Sequence, residues 1–461
     1  MLNLIDVGLL KNILRFKVCH EWTDQLNLQT LINTAFLGLL QKTGDCFKYP
    51  SELIIYKKTN MLRSFEQLQT GLVSPKSFQS SVISNRLFDL DLSKRTIIRS
   101  CHNAGVTALD IDKVEDRYLL SGAKNGDLAI HDLVNTSGHP SYTAEVVCRI
   151  RRGSAYAHKF CIKTAQWYPF DTGLFVTSAM DQKLKIWDAN ILKPADTISV
   201  DYNISGHHMS SVSTQHTLIA VAMKYPHIIL LDPRSGSRSH ELRAHRTGVA
   251  SVRWSPISEY LLASGGVDSK IFFWDIRSAK GYLRTLDQHN GEAIGSQKDL
   301  ITAHDGHINS LRFTDDGLFM ISHGTDNHIR LWDVALCKNT LVNFGLIPSA
   351  NAHFQVSIDM CCDSSLPVLF VPCNNSVNVY DLFTGCRLKM LTGHFNLVTS
   401  CVYRSSTHEL YSSGNDMNIL LWTPDVEKEL EEEYPSSPCH RRLSNDVAIS
   451  VDSDNWSSDE N

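Results

Sequence analysis

Short apolar runs alternate with polar turns along most of this chain, from about residue 100 to residue 423. The best-formed unit begins at His245, passes through two apolar runs separated by a turn that contains Asp268, and ends at Trp274-Asp275. Each run is rich in β-branched or aromatic residues and is bounded by Gly, Ser, Pro or Asp. This pattern predicts the strands of an antiparallel meander.

The unit occurs seven times, with related endings that lie 42 to 58 residues apart. The endings are His131-Asp132, Trp187-Asp188, Leu231-Asp232, Trp274-Asp275, Trp332-Asp333, Tyr380-Asp381 and Trp422-Thr423. A repeat of about 40–45 residues that ends in Trp-Asp is typical of WD-repeat propeller blades. The sequence therefore predicts an all-β fold, a seven-bladed WD-repeat β-propeller over residues 86–424.

The ends of a closed ring must be joined so that no edge strand is exposed. Residues 86–92 precede the first full unit, and we expect them to form a strand that completes the last blade. The two longest spacings predict insertions near residues 137–159 and 287–300. Both are polar enough to be surface loops on one rim of the ring.

Four residue types in each unit can hydrogen-bond in series: a His, a strand Ser or Thr, a turn Asp and a Trp. In the best-formed unit they are His245, Ser264, Asp268 and Trp274. The Asp would fix a tight turn and orient the His. We interpret these residues as structural and not as catalytic.

The composition is that of a globular protein, with 461 residues, 43% hydrophobic residues, 20% charged residues and a formal net charge of -5. A chain of this size buries a large core without covalent staples. The twelve cysteines are scattered without Cys-x-x-Cys or zinc spacing, and we interpret them as reduced thiols. Motifs of metalloproteases, serine hydrolases and phosphate-binding loops are missing, so we predict no enzyme, no metal and no cofactor.

The two ends of the chain differ from the repeats. Residues 425–461 carry eleven acidic and three basic residues, which predicts a solvated, disordered tail. In this tail Ser457 and Ser458 precede acidic residues and are candidate phosphorylation sites. Residues 1–60 have apolar residues at helical spacing, but no stretch is long enough to span a bilayer, and we predict no membrane partner. We favour an upstream extension of the gene model over a partner-binding helix pair for this segment.

Several short segments are similar to those of one family of propeller proteins. They are Met61-Leu62-Arg63-Ser64-Phe65 with Gln69-Thr70-Gly71-Leu72, Gln166-Trp167-Tyr168-Pro169-Phe170-Asp171-Thr172-Gly173, Leu286-Asp287-Gln288-His289-Asn290-Gly291 and Trp456-Ser457-Ser458-Asp459. These segments are peculiar to the family and not general to WD repeats. Over residues 61–461 the chain resembles the Cockayne syndrome A family, propeller subunits of a ubiquitin ligase.

The resemblance implies a substrate receptor of a cullin-4 RING ubiquitin ligase that acts in transcription-coupled nucleotide excision repair. The implied partners are the ligase's adaptor, which is the triple-propeller damage-specific DNA-binding protein subunit, a Cockayne syndrome B-type ATPase and RNA polymerase II. The implied location is the nucleus, on chromatin after damage, with some protein in the cytoplasm.

The family's docking pattern is a blade that ends in Trp-Asp-x-Arg with an Asp six residues before the Trp. Asp268, Trp274, Asp275 and Arg277 fit this pattern and are the implied adaptor-binding residues. In physical terms, Asp275 can hold the turn after the strand. The planar guanidinium of Arg277 can then point off the rim toward carbonyls or carboxylates of the partner.

Residues 61–85 form the second implied contact, a helix-loop-helix that enters a cleft of the adaptor. Apolar residues recur there at helical spacing, with breaks at Gly71 and Pro75. The stripe begins with Leu62, Phe65, Leu68 and Leu72. An amphipathic helix in a groove is a common mode of recognition. The alternative is that the stripe packs on the propeller rim.

Two other functions remain open at this point. A non-catalytic WD-repeat scaffold suits the propeller equally well, because fold does not determine function. A direct reader of damaged DNA needs a basic hairpin with an aromatic tip. The insertion at 137–159 offers Tyr142, Arg149, Arg151, Arg152, Tyr156, His158 and Lys159. This support is weak, and the sequence disfavours direct nucleic-acid binding.

Overall fold

The computed structural model describes residues 61–134, 142–278, 281–291, 301–348 and 356–424. The predictions for residues 1–60 and for the acidic tail with Ser457 and Ser458 lie outside these ranges. In the described part of the chain, neither helix has the length and apolar character that a membrane-spanning helix requires.

Two helices precede the sheets. They are α1 (Met61–Gln69) and α2 (Pro75–Phe88), followed by the short strands β1 (Leu90–Leu92) and β2 (Thr96–Ile98). The chain turns between the helices at Gly71, whose φ of 72° lies in the left-handed region that suits glycine. Ser74 then caps α2 by accepting a hydrogen bond from the backbone N–H of Ser77.

The described residues form seven four-stranded sheets, which confirms the predicted seven-bladed propeller. The first three blades are β3 (Val106–Ile111), β4 (Tyr118–Ala123), β5 (Leu128–Asp132) and β7 (Val146–Ile150); β8 (Ile162–Trp167), β9 (Leu174–Ala179), β10 (Lys183–Asp188) and β11 (Lys193–Ser199); and β12 (Ile204–Met209), β13 (Ile219–Met223), β14 (His227–Asp232) and β15 (Ser237–Arg243). Strand β6 (Tyr142–Ala144) lies outside these sheets and pairs in parallel with β2.

The remaining four blades follow the same plan. They are β16 (Val249–Trp254), β17 (Leu261–Gly266), β18 (Ile271–Asp275) and β19 (Tyr282–Thr285); β20 (Ile308–Phe313), β21 (Phe319–Gly324), β22 (Ile329–Asp333) and β23 (Lys338–Asn339); β24 (Asp359–Cys361), β25 (Val368–Cys373), β26 (Ser376–Asp381) and β27 (Arg387–Thr392); and β28 (Val398–Arg404), β29 (Glu409–Gly414) and β30 (Ile419–Pro424) with β1. Six predicted endings coincide with the last residue of a third strand, and the seventh lies within β30.

The ring closes through β1, which pairs antiparallel with β30 and places Leu92 opposite Trp422. The prediction of a strand over residues 86–92 was wrong for residues 86–89. Residues 86–88 finish α2 because Ile83 and Leu87, at helical spacing, pack into the core of the last blades. The strand begins only at Leu90, whose side chain is fully buried.

The first predicted insertion contains blade structure, whereas residues 288–291 of the second form a turn. Residues 142–150 form β6 and β7, so the surface-loop prediction was wrong there. The reason is that β5 needs a fourth strand on its outer edge, and β7 supplies it. In the second insertion Gln288 is buried, and its side-chain N–H donates to Asp305 at 2.8 Å. Residues 137–141 and 292–300 lie outside the described residues.

Side chains on the inner strands link neighbouring blades around a central cavity of 470 Å³. The contacts are Trp167 N to Asp110 Oδ2 at 2.7 Å, Met209 N to Gln166 Oε1 at 2.9 Å, Trp254 N to His208 Nδ1 at 3.0 Å, Arg253 Nε to the Leu311 carbonyl at 3.0 Å, Arg312 to Asp359 at 2.9 Å, and Tyr403 N to Asp359 Oδ2 at 2.9 Å. Burial raises the pKa of Asp110 to about 6. Apolar clusters fill the wedges between the blades.

Candidate functional site

Four side chains are hydrogen-bonded in series inside the fourth blade. His245 Nδ1 donates to Asp268 at 2.9 Å, and its Nε2 lies 2.8 Å from Ser264 Oγ. The same hydroxyl oxygen accepts the indole N–H of Trp274 at 2.8 Å. Because Ser264 accepts from the indole, its own proton points to the imidazole, which is consistent with a neutral histidine protonated on Nδ1.

The pKa of the turn aspartate, Asp268, is shifted in the folded chain. Burial alone would raise the pKa of Asp268, but the hydrogen bond from His245 and the electrostatic interaction with its ring outweigh this effect. Hydrogen bonds from the backbone N–H groups of Arg246 and Lys270 also lower the pKa of Asp268. The pKa of Asp268 is therefore held below its ordinary value, and the carboxylate stays ionised while it orients the histidine.

The same series recurs in three other blades. The sets are His158, Thr177, Asp181 and Trp187; His304, Ser322, Asp326 and Trp332; and His394, Ser412, Asp416 and Trp422. In the first blade His102 contacts Ser121, and the buried His131 stands where the tryptophan lies in the four blades with the complete series. A repeated, buried set of this kind is structural and does not mark a catalytic centre.

Burial divides the four residues of the predicted docking pattern into an inner pair and an outer pair. Trp274 is 1% exposed, and the Asp268 side chain is 7% exposed. Asp268 also lies in the turn before β18, whereas Arg277 follows the other end of that strand. Asp268 and Trp274 are therefore engaged inside the blade, as the structural interpretation expected, and their part in adaptor binding stays a prediction. Asp275 and Arg277 are the members of the set that reach the surface.

Arg277 lies on the rim, with 63% of its side chain exposed, and it is held by two neighbours. Its Nε and Nη2 donate to the two carboxylate oxygens of Asp275 at 3.0 and 2.7 Å. The guanidinium carbon lies 4.3 Å from the centroid of the Tyr260 ring. The sequence predicted a guanidinium that points off the rim, whereas in the structure it is folded against the blade.

The ion pair between Arg277 and Asp275 shifts the pKa of both residues. The hydrogen bond from Arg277 holds the pKa of Asp275 below its ordinary value, and the same hydrogen bond raises the pKa of Arg277. The backbone N–H of Arg277 also donates to Asp275 at 3.0 Å. Asp275 therefore fixes both the main chain of the turn and the direction of the guanidinium.

Tyr260 and Glu259 are rim residues that the sequence did not reveal. Glu259 accepts the backbone N–H of Thr214 at 3.0 Å, and its carbonyl accepts from His216 Nε2 at 2.7 Å. A hydrogen bond from the phenol lowers the pKa of Glu259 and raises that of Tyr260. An aromatic residue before a strand is ordinary in a propeller, so only the fold shows that Tyr260 lies under Arg277.

The third blade carries the same spacing of acid and arginine without the same arrangement. There the ending is Leu231-Asp232-Pro233-Arg234, and the backbone N–H of Arg234 donates to Asp232 Oδ1 at 3.0 Å. The other oxygen of Asp232 accepts the hydroxyl of Ser235 at 3.0 Å. Thr217 lies two residues before the second strand's Ile219, at the position that Tyr260 occupies in the fourth blade. The Arg234 side chain is exposed and lacks an ion-pair partner among the described residues.

The predicted apolar stripe before the ring divides into two parts. In α2, Ile83 and Leu87 are buried against the last blades, and Ser84 Oγ lies 2.7 Å from Ser365 Oγ. In α1 and the following turn, Phe65 is 49% exposed and Leu72 is 77% exposed. The second half therefore anchors the segment to the propeller, and the first half is left at the surface. Leu68 is half-buried, and the side chain of Leu62 lies outside the described residues.

The basic insertion offers fewer free cations than the sequence suggested. Arg149 pairs with the buried Asp127 at 3.3 Å, and His158 belongs to the hydrogen-bonded series of the second blade. Arg151, Arg152 and Lys159 are exposed. The candidate surface for direct nucleic-acid contact is thus reduced to three cations.

The residues that the structure describes do not form a metal centre. Among them, no group of three or more His, Cys, Asp or Glu is arranged to hold a metal ion. His207, one of the histidines at an inner strand, contacts the hydroxyls of Thr164 and Ser178 at 2.7 and 2.8 Å. Burial lowers the pKa of His207 to about 3. What the rim can do is bind another protein through its charged and apolar groups.

Comparison with known proteins finds the WD repeat that the sequence predicted. The model of the WD domain, G-beta repeat, matches residues 236–275, 295–333 and 385–423, each of which ends at a predicted blade ending. WD repeat-containing protein ATCSA-1 of Arabidopsis thaliana is 33% identical over 86% of this chain and 100% of the relative.

Two further relatives match only part of the chain. A ribosome biogenesis protein WDR12 homolog of Aedes aegypti is 30% identical over 38% of this chain and 37% of its own length. Radiation-sensitive protein 28 of Saccharomyces cerevisiae is 24% identical over 38% of each. Each of these two matches covers 38% of this chain, whereas the Arabidopsis match covers 86% of it.

Proposed function

This chain belongs to the WD-repeat family that includes ATCSA-1 of Arabidopsis, and on that premise we propose that it is a substrate receptor of a cullin-4 RING ubiquitin ligase. The process in which it acts is transcription-coupled nucleotide excision repair. Its partners are the triple-propeller adaptor, a Cockayne syndrome B-type ATPase and RNA polymerase II. Its location is the nucleus, with association to chromatin after damage.

The observation that carries the proposal is the rim of the fourth blade. Asp275 holds an exposed guanidinium in a fixed orientation, at the position where the family's docking pattern requires it. A planar fork of N–H donors suits the carbonyls and carboxylates of a protein surface. Blades 2 and 5 end in Trp187-Asp188-Ala189-Asn190 and Trp332-Asp333-Val334-Ala335, without an arginine at this position.

The helical segment adds a second point of contact. α2 is anchored to the last blades, and the exposed Phe65 and Leu72 lie just before it on α1 and the following turn. Exposed apolar side chains on a short helix and its turn suit insertion into a groove of a partner. Two separate contacts give higher affinity than either one alone, since the second forms at high effective concentration.

In this role the propeller performs no bond chemistry. The RING subunit and a charged conjugating enzyme carry out the transfer of ubiquitin to a lysine of the substrate. The receptor contributes position, because holding the substrate near the charged enzyme makes the reaction effectively intramolecular. The hydrogen-bonded series in the blades keeps this platform rigid.

The test is recovery of the purified adaptor by the tagged full chain and its variants. We expect Arg277→Glu to abolish recovery and Phe65→Ala with Leu72→Ala to reduce it strongly. Arg234→Glu is the matched control, because it makes the same charge change at the same position of the neighbouring blade. This control should recover the adaptor like the unmodified chain.

Other outcomes discriminate between functions. Equal recovery by all variants would reject the docking residues. Failure of the unmodified chain to recover the adaptor would favour a non-catalytic WD-repeat scaffold with other partners. Salt-dependent binding of a damaged duplex at nanomolar protein, abolished in Arg151→Glu with Arg152→Glu, would favour a direct reader of DNA.

A further inference from the structure

We propose that Tyr260 is a positioning residue for docking: its ring holds the Arg277 guanidinium so that one preformed edge faces the partner. The partner group that this edge accepts is a carboxylate or a pair of backbone carbonyls. The proposal rests on the proposed function, and it adds to the docking pattern a residue that the pattern does not contain.

The geometry identifies the edge. Two of the three guanidinium nitrogens, Nε and Nη2, donate to Asp275. A guanidinium carries five N–H donors, one on Nε and two on each terminal nitrogen. Nη1, with two N–H groups, and one N–H of Nη2 are therefore directed away from Asp275. These donors can receive two oxygens at once, which is the geometry of a carboxylate or of adjacent carbonyls.

The ring of Tyr260 covers one face of the guanidinium, at 4.3 Å from its central carbon. A cation over an aromatic face is attracted by the ring quadrupole, and the plane of the guanidinium can lie along the ring. Asp275 fixes the guanidinium within its plane, and Tyr260 supports it from one side. Together they leave the Arg277 side chain little rotamer freedom to lose when a partner binds.

Hydrogen bonds to both the third and the fourth blade hold the turn that contains Tyr260. The Tyr260 carbonyl accepts the backbone N–H of Ile276 at 3.2 Å, which ties it to the residue before Arg277. Glu259 receives the N–H groups of Thr214 and Gln215 at 3.0 and 3.3 Å and so joins the turn to the third blade. The turn under Arg277, which contains Glu259 and Tyr260, is therefore hydrogen-bonded to both the third and the fourth blade.

The third blade shows how an arginine lies on the rim where no tyrosine ring supports it. Arg234 has the same spacing from Asp232, but Thr217 replaces the tyrosine and the Ser235 hydroxyl occupies the second carboxylate oxygen. Within the described residues, the Arg234 guanidinium has neither of the two supports that hold Arg277. Docking there costs the full rotamer freedom of the side chain, so the same motif is a poorer docking group.

The experiment measures the affinity of the immobilised full chain for the purified adaptor by biolayer interferometry. We expect Tyr260→Ala to weaken binding on the order of 3- to 10-fold, mainly through faster dissociation, since this variant removes the aromatic ring that supports the cation. Tyr260→Phe keeps the ring and should bind within about twofold of the unmodified chain. Arg277→Lys should bind poorly, because an ammonium cannot form the two-pronged contact.

A double-mutant cycle separates positioning from general damage to the blade. In an Arg277→Ala background, Tyr260→Ala should have no further effect, because there is no guanidinium left to orient. Thermal melting of each variant checks the fold. A residue with a purely structural role would instead weaken binding equally in both backgrounds.

The outcomes distinguish this inference from the proposed function. If Arg277→Glu loses binding while Tyr260→Ala binds like the unmodified chain, the inference fails and the proposed function stands. An additive effect of Tyr260→Ala in the cycle overturns it as well, as does a Tyr260→Phe variant that melts normally but binds as weakly as Tyr260→Ala. If Arg277→Glu binds normally, the docking surface itself is wrong, and both proposals fall.

Discussion

The third and fourth blades end their third strands with the same Asp-x-Arg spacing, yet they hold the arginine in different ways. In the fourth blade Asp275 receives the guanidinium of Arg277 in a two-pronged contact. In the third blade the oxygens of Asp232 are taken by the main chain and by Ser235, and within the described residues Arg234 lacks that contact. The motif alone therefore does not position an arginine, because its neighbours decide which group the aspartate binds.

The interiors of the two blades differ just as clearly. Ser264 and Trp274 belong to the hydrogen-bonded series of the fourth blade, whereas Val221 and Leu231 occupy the equivalent strand positions in the third. Both pairs are completely or almost completely buried. A propeller blade can thus be stabilised by a polar series or by apolar packing alone. The stability of the fourth blade therefore depends on hydrogen bonds that the third blade does not have at these positions.

The largest effect is expected when the tryptophan of the fourth blade is removed. Trp274→Ala deletes a fully packed ring and leaves a cavity, and it should lower the free energy of unfolding by about 4 kcal/mol. Urea unfolding followed by circular dichroism measures this change. Leu231→Ala, the counterpart in the third blade, should cost about 3 kcal/mol. A loss of less than about 1 kcal/mol in Trp274→Ala would show that the ring is not integral to the blade.

A smaller effect is expected from the hydroxyl at the centre of the series. Ser264→Ala leaves His245 Nε2 and the indole N–H of Trp274 without their shared partner, and it should cost about 2 kcal/mol. The reciprocal change Val221→Thr places a hydroxyl in the apolar interior of the third blade and should also destabilise it by about 2 kcal/mol. If Ser264→Ala were neutral in urea unfolding, the series would contribute nothing to stability.

Acid should act on the fourth blade through Asp268. Its pKa is lower in the folded chain than the value of about 3.9 for an unfolded aspartate. The carboxylate therefore contributes stability above about pH 4, and that contribution is lost as the pH falls through the lowered pKa. The stability difference between the unmodified chain and Asp268→Asn should shrink as urea titrations move from about pH 6 to about pH 3. A constant difference would contradict this linkage.

The smallest effect is expected at the two rim arginines. Arg277→Ala and Arg234→Ala should each leave the melting temperature within about 1 °C of that of the unmodified chain, because exposed ion pairs contribute little. Differential scanning fluorimetry measures both. A drop of more than about 4 °C in Arg277→Ala alone would mean that its contact with Asp275 stabilises the blade, and the binding variants would then need that correction.

The repeat itself could be predicted from the sequence because each blade is a local unit. The alternation of apolar and polar residues and the Trp-Asp endings placed the ends of β10, β18 and β22 correctly. The series of His245, Ser264, Asp268 and Trp274 was also expected, and these four residues are hydrogen-bonded to one another. These features depend on residues within about 30 positions of one another, so local pattern carries them.

Features that depend on neighbouring blades were predicted less well. Residues 86–88 continue a helix because the last blades offer Ile83 and Leu87 a place to pack, and the local pattern does not contain that surface. Residues 146–150 became a strand because β5 presented an open edge. The docking motif also did not show that Trp274 and Asp268 point inward while Arg277 reaches the surface.

What the sequence alone determined is the number of blades, the position of their third strands and the presence of an arginine after Asp275. Side-chain period and turn residues specify these features locally. The tertiary structure decided which residues reach the rim, that Tyr260 lies under Arg277, and that α2 is anchored while Phe65 and Leu72 stay exposed. These facts follow from contacts between distant segments, and only packing brings those segments together.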